Sequence, residues 1–252
     1  MWGYLLVFCL ISLYKYDFFS VYNKYIRFFS NFSKINIEDK ANKDIKYTTE
    51  YKKKYNLTPF QKQALVGIIL GDGYLERIKS SYNTRLRIEQ SYPEKEKYFY
   101  SLYSLFEPLI TMNPVILTRK PDIRTGKLYK SLYFRTLTLL CLNEYHNMFY
   151  KNKVNIISEN LDKLLTPIGL AYWIMDDGSI TTYKQTVLHT RSFCKKEVLF
   201  IMEILKKNFS LETRIEEKKK DQWVIYIPVK QKVKLKDIVG PYIHESMLYK
   251  IR

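Results

Sequence analysis

Residues 57–76 read LTPFQKQALVGIILGDGYLE, and residues 165–180 read LTPIGLAYWIMDDGSI. Each stretch opens on Leu-Thr-Pro, continues as a nearly unbroken apolar run and closes on Asp-Gly. Thr58 and Thr166 stand where helix N-caps are expected. Pro59 and Pro167 follow at the first helical position, where a missing N–H costs nothing. Gln61 supplies the partner of a capping box in the first copy. The runs Ala64–Leu70 and Leu170–Met175 have no polar face, so both helices are expected to be buried on most sides. Gly73 and Gly178 are read as left-handed stops. Spanning 59 to 72 and 167 to 177, the first helix is expected to be about one turn longer than the second.

An acid thus ends each buried helix. Asp72 and Asp177 sit at the negative end of a helix dipole, which disfavours a carboxylate by several tenths of a kcal/mol. If the helices pack together, the two acids also repel one another. A divalent cation removes both penalties, taking carboxylate oxygens and the freed carbonyls of Gly71 and Asp176 as hard ligands.

Leu65–Gly73, LVGIILGDG, resembles the nine-residue signature of the LAGLIDADG homing endonucleases and maturases, and Leu170–Gly178 resembles its second copy in the WIMDDG style. Two copies with matching caps, 105 residues apart, carry the resemblance. Ser246–Ile251 (SMLYKI) and Lys195–Phe209 extend it to roughly residues 55–252. The resemblance implies an α+β fold of two pseudo-symmetric repeats. Each would hold a curved antiparallel sheet and helices, and the two would pack through their signature helices. It also implies Mg²⁺ or Mn²⁺ at Asp72 and Asp177, basic residues lining the same pocket at Lys153 and Lys250, and Asp176 as a structural or outer-shell group. Asn155 and Ser158 depart from the lysine and proline expected beside Lys153. The activity implied is a metal-dependent double-strand break in a long, asymmetric DNA site, made by a monomer with pseudo-twofold symmetry. An intron-RNA maturase, sharing the fold and the basic surface, stands as the alternative.

Composition points the same way. A formal net charge of +17 with 23 Tyr and 14 Phe interleaves positive charge with stacking surfaces and implies an anionic partner, nucleic acid first. Three alanines against an abundance of Lys, Asn, Ile, Tyr and Phe suggest an A/T-rich genome such as a mitochondrial one. Cys9, Cys141 and Cys194 offer neither a disulfide framework nor a metal motif. His146, His189 and His244 are too scattered for an HNH-type site, and there is no P-loop.

Three segments are expected: a leader and linker over 1–50, a first repeat over 51–150 and a second over 151–252. Trp2–Leu13 is apolar but shorter than the roughly 20 residues a membrane span needs, so no stable span is expected. Each repeat reads strand, strand, helix, hairpin, helix. Arg85–Glu89 alternates with period two, placing Arg85, Arg87 and Glu89 on one face. Val115–Lys120 with Lys127–Thr136 forms one hairpin, and Arg214–Lys218 with Gln222–Ile227 another. A helix is expected over Leu137–Phe149, a strand over Val187–Phe193 and a helix over Lys230–Val239. The wet strand faces supply candidate readers of a DNA major groove: Arg85, Arg87, Lys127, Tyr129, Arg135, Arg191, Arg214, Lys218 and Gln222.

Overall fold

A computed structural model describes residues 48–252; the leader expected over 1–50 lies almost wholly outside them. After a short helix α1 (Thr49–Lys54), the first repeat runs α2 (Pro59–Leu70), β1 (Tyr74–Glu76), β2 (Arg85–Tyr92), α3 (Glu96–Phe106), β3 (Val115–Thr118), β4 (Lys130–Arg135) and α4 (Asn143–Phe149). A small hairpin of β5 (Tyr150–Lys151) and β6 (Val154–Asn155), then the single turn α5 (Leu161–Leu164), lead into the second repeat. That repeat runs α6 (Pro167–Asp177), β7 (Gly178–Ile180), β8 (Thr186–Leu188), α7 (Lys195–Phe209), β9 (Arg214–Lys219), β10 (Gln222–Ile227) and α8 (Lys232–Val239), and the chain closes in 3-10 turns over Glu245–Ile251. The two large sheets are antiparallel with the same strand sequence, β1-β2-β4-β3 and β7-β8-β10-β9. The duplication seen in the signature helices therefore extends to the sheets. Among the described residues no helix is long and apolar enough to cross a membrane.

The helix starts follow local chemistry. Thr58 accepts the N–H of Gln61, and Gln61 in turn accepts the N–H of Thr58 at 2.9 Å; Thr166 accepts from Gly169. The helix ends do not follow the expectation. α2 stops at Leu70, two residues before Asp72, whereas α6 runs through Asp177, so the two are nearly equal in length. Neither Gly73 nor Gly178 is left-handed; Gly126, in a surface loop, has the positive φ. The glycines serve close approach instead. A Cβ on Gly73 would lie 2.3 Å from Ile68 Cγ2, and one on Gly178 would lie 2.4 Å from the Ile174 carbonyl oxygen. Each chain folds back against its own last turn, where no side chain fits.

The sheets separate a wet face from a packed one. Along β2, Leu86, Ile88 and Gln90 are buried, while Arg85, Arg87 and Glu89 are only partly covered. β2 pairs with β4 so that Arg87 faces Arg135 and Glu89 faces Tyr133. Three expected elements are shorter than their periodicity suggested. Leu137–Leu142 forms no α-helix: Leu137 and Leu139 donate to the carbonyls of Leu109 and Thr84, so bridging to neighbouring segments replaces helical bonding. β8 ends at Leu188, leaving His189 and Arg191 beyond it, and Lys127 and Tyr129 precede β4.

Candidate active site

α2 and α6 lie side by side because glycine lets their backbones meet. A Cβ on Gly67 would stand 1.9 Å from the Gly169 carbonyl oxygen, and one on Gly71 would stand 2.4 Å from Asp176 Cβ. The apolar runs are buried to match: Leu65, Ile68, Ile69, Leu170, Trp173 and Ile174 are each at 0% exposure. This packing carries the ends of both helices, and with them Asp72, Asp176 and Asp177, into one place.

Asp176 is the node of that cluster. Its Oδ1 accepts from the Tyr98 hydroxyl at 2.9 Å and from Gln90 Nε2 at 3.0 Å, and its Oδ2 faces the Asp72 N–H at 3.4 Å. Its backbone carbonyl accepts from the ammonium groups of Lys95 and Lys250, each at 3.2 Å. Burial, followed by the neighbouring Asp72 carboxylate, pushes the Asp176 carboxyl up to about 8. Both Asp176 oxygens are thus engaged inside the protein, by Tyr98 and Gln90 on one side and by the Asp72 N–H on the other.

Asp72 and Asp177 differ in surroundings. Lys95 Nζ approaches Asp72 Oδ2 at 3.0 Å, with a third of the Asp72 side chain open to solvent. Asp177 is more enclosed: burial and then the charge of Asp72 lift its carboxyl to about 6, against the pull of Lys95 and Lys250. Lys250 is buried at 4% exposure and donates to the carbonyls of Met175 and Asp176. Burial, and then the nearby Lys95 ammonium, lowers its value to about 8.

Among the described residues no three acidic, imidazole or thiol side chains converge as an all-protein metal cage. The donor set still fits Mg²⁺ or Mn²⁺. Mg²⁺ is characteristically held by one or two carboxylates together with substrate phosphates, and the burial and, after it, the repulsion from Asp72 that raise Asp177 are what such an ion offsets. Asp72 and Asp177 would hold it; the Asp176 carbonyl, expected as a further ligand with that of Gly71, instead accepts from Lys95 and Lys250.

Other residues fall elsewhere. Lys153 sits at the exposed tip of the β5–β6 hairpin with a left-handed backbone and makes no ion pair with either acid. Two positions on, Asn155 Nδ2 reaches the Ile69 carbonyl at 3.2 Å, close to the end of α2. Lys95 and Gln90 did not stand out in the sequence. Gln90 carried a signal, a polar residue in the buried register of β2 beside Leu86 and Ile88. Lys95 carried none, being one of 42 Lys and Arg residues.

The groove-reader candidates divide by context. Arg85 pairs with Glu76, Arg87 with Glu89, and Arg214 and Lys218 with Glu216. Arg135 ends β4 and is exposed. Gln222 opens β10, opposite Lys219. Arg191 lines a cleft of about 370 Å³ with Lys195, Asp221 and Trp223. Lys127 and Tyr129 are exposed in the loop before β4.

Two duplicated α+β halves thus share one acidic centre at the ends of their paired helices. The model of the LAGLIDADG DNA endonuclease family matches residues 62–235, and the chain belongs to that family. It is 30% identical over 214 residues to the probable intron-encoded endonuclease 1 of Wickerhamomyces canadensis, covering 82% of this chain and 90% of that one. It is 34% identical over 198 residues to the cytochrome b mRNA maturase bI2 of Saccharomyces cerevisiae, covering 74% of this chain and 46% of the maturase, so it spans just under half of that relative. Among solved structures, the homing endonuclease I-WcaI bound to its DNA recognition sequence aligns with a TM-score of 0.74 at 30% identity, over 81% of this chain and 91% of that one.

Proposed function

We propose that the protein is a homing endonuclease acting as a monomer, cutting both strands of a long, asymmetric DNA site with Mg²⁺ or Mn²⁺. The observation that carries this reading is the convergence of Asp72 and Asp177, one from each repeat, beside the ammonium groups of Lys95 and Lys250. A chain with one acid per repeat can address one scissile phosphate with each. Two sheets of unlike sequence can read two unlike half-sites, which favours an asymmetric target. The names of the aligned relatives, including a homing endonuclease bound to DNA, support the same substrate class.

In this reading Asp72 and Asp177 are the metal-holding catalytic acids. The chemistry such ions supply is activation of water and neutralisation of charge on the attacked phosphate and the leaving oxygen. Asp176 fixes the helix ends through Tyr98 and Gln90 and keeps the two ammonium groups at its carbonyl. Lys250 gives two of its N–H bonds to carbonyls of α6 and keeps the third for a phosphate oxygen or the attacking water. Lys95 offsets the charge of Asp72 until substrate arrives. Arg85, Arg87, Arg135, Arg191, Arg214, Lys218 and Gln222, with Lys127 and Tyr129, form the DNA-contacting set. Lys153, at its exposed hairpin tip, is better placed for a backbone phosphate than for the acids. A mitochondrial, intron-encoded origin fits both the codon-biased composition and the cytochrome b maturase relatives.

Incubating the full chain with a plasmid that carries the intronless form of its host gene tests the reading. Linearisation at one position that requires Mg²⁺, and that is lost in both Asp72→Asn and Asp177→Asn, is expected. Intact DNA together with tight, specific binding of the intron RNA would move the protein to the maturase role named in its yeast relative.

A further inference from the structure

The wet face of the first sheet is not simply basic. At its middle, on β2, stands Glu89. Its Oε1 accepts from Arg119 Nη2 and from Ser131 Oγ, each at 2.7 Å, and its Oε2 accepts from Arg87 Nη2 at 3.0 Å. Burial opposes its charge, but the donors of Ser131, Arg119 and Arg87 outweigh burial and hold the carboxyl below its ordinary range. Arg87 is further steadied over the Tyr133 ring at 5.1 Å.

A carboxylate in the middle of a surface that closes on DNA is poorly placed against phosphates, because like charges repel. It is well placed against base edges in the major groove, where the cytosine N4 amine is a donor and guanine O6 and N7 are acceptors. A carboxylate offers about four lone-pair positions. Three are taken by Arg119, Ser131 and Arg87, leaving one free. Each arginine gives a single N–H to Glu89 and keeps the rest of its fork. Held in this way, the forks lose less side-chain freedom on binding, which favours bidentate recognition of guanine.

We infer that Glu89 is a specificity-determining residue: gripping Arg87 and Arg119, it sets a preference for G·C at one step of the half-site lying under the first sheet. This rests on the DNA-cleavage reading above. The second sheet carries a more exposed carboxylate on its edge strand β9, Glu216, bonded to Arg214 at 3.2 Å and to Lys218, and it provides an internal control on the other half-site.

The test is selection of bound sequences from a library of randomised DNA duplexes by the full chain, for wild type, Glu89→Gln, Arg119→Met and Glu216→Gln. Wild type should enrich a long asymmetric motif. Glu89→Gln is expected to lose about ten-fold or more of its discrimination at one or two adjacent G·C positions in one half. It should also bind random duplex several-fold more tightly, because a negative charge has gone. Arg119→Met, whose side chain is 67% exposed and outside the core, should relax the same positions, whereas Glu216→Gln should relax positions in the other half only. A wild-type motif that Glu89→Gln and Arg119→Met both reproduce unchanged would overturn the inference while leaving the DNA reading intact. No motif from wild type would overturn both.

Discussion

Asp72 and Asp177 present the same chemical group at unlike depth, and the difference is measurable. Asp177 is held at about 6 rather than 3.8 by burial and by Asp72. Its folded-state value is therefore raised, so the native protein keeps a proton that the unfolded chain has already lost. Stability from this group falls as pH rises from 3.8 to about 6 and stays lower above it. In EDTA at pH 7.5, Asp177→Asn is expected to melt a few degrees higher than wild type, with the two curves converging near pH 4. Calorimetric melts of both proteins across that range check the sign. The same substitution should abolish cleavage while leaving DNA binding in a gel-shift assay intact, and Asp72→Asn should do likewise. Lys250→Met removes a buried ammonium that bonds two carbonyls of α6. Its expected signature is a cleavage rate lowered by about a hundred-fold or more with binding largely retained, read by single-turnover kinetics.

At the scale of elements, the contact between α2 and α6 depends on glycine. At Gly67 the backbone of the neighbouring helix occupies the place a side chain would need. Gly67→Ala is expected to cost about 1–3 kcal/mol as the helices are forced apart, with cleavage falling further than stability because the acids at the helix ends separate. Urea denaturation and plasmid cleavage on the same preparation would distinguish this from a local effect: full activity with normal stability would show that the helices approach differently. Thr58→Ala removes one half of the reciprocal cap on α2 and should cost only about 1 kcal/mol. The cap that begins α2 is thus tolerant, and the glycine at its contact with α6 is not.

At the scale of the whole molecule, charge governs encounter. With a net charge of +17, association with DNA should weaken steeply with salt as phosphates are neutralised and counterions released. A log–log slope of about −5 or steeper between 50 and 200 mM salt is expected by fluorescence anisotropy, and a flat response would remove DNA as the anionic partner. Several arginines on the sheet faces are already partnered by Glu76, Glu89 and Glu216. Fewer phosphate contacts than the formal charge suggests are therefore available, and Glu89→Gln should steepen the slope by about one.

The amino-acid sequence by itself determined the duplication, the starts of both signature helices and the burial of their runs, whereas an acid ends only α6, α2 stopping at Leu70 before Asp72. These rest on caps, apolar runs and repeated motifs, which act over a few residues. The succession of strands and helices along each repeat was legible for the same reason, through the alternation in β2 and the hairpin of β9 and β10, while the order of strands in the sheets was not. Tertiary structure decided what passes between repeats. Gln90 and Tyr98 meet Asp176 across 86 and 78 residues, and Lys95, at the start of α3, reaches the Asp176 carbonyl across 81 residues; no local pattern encodes such distances. The role of the glycines was also decided there. Gly73 and Gly178 suit a left-handed stop in isolation, but packing uses their missing Cβ instead. Leu137–Leu142 has the composition of a helix, yet the N–H groups of Leu137 and Leu139 go to Leu109 and Thr84, because this path buries Leu139 and Leu142 while satisfying the backbone.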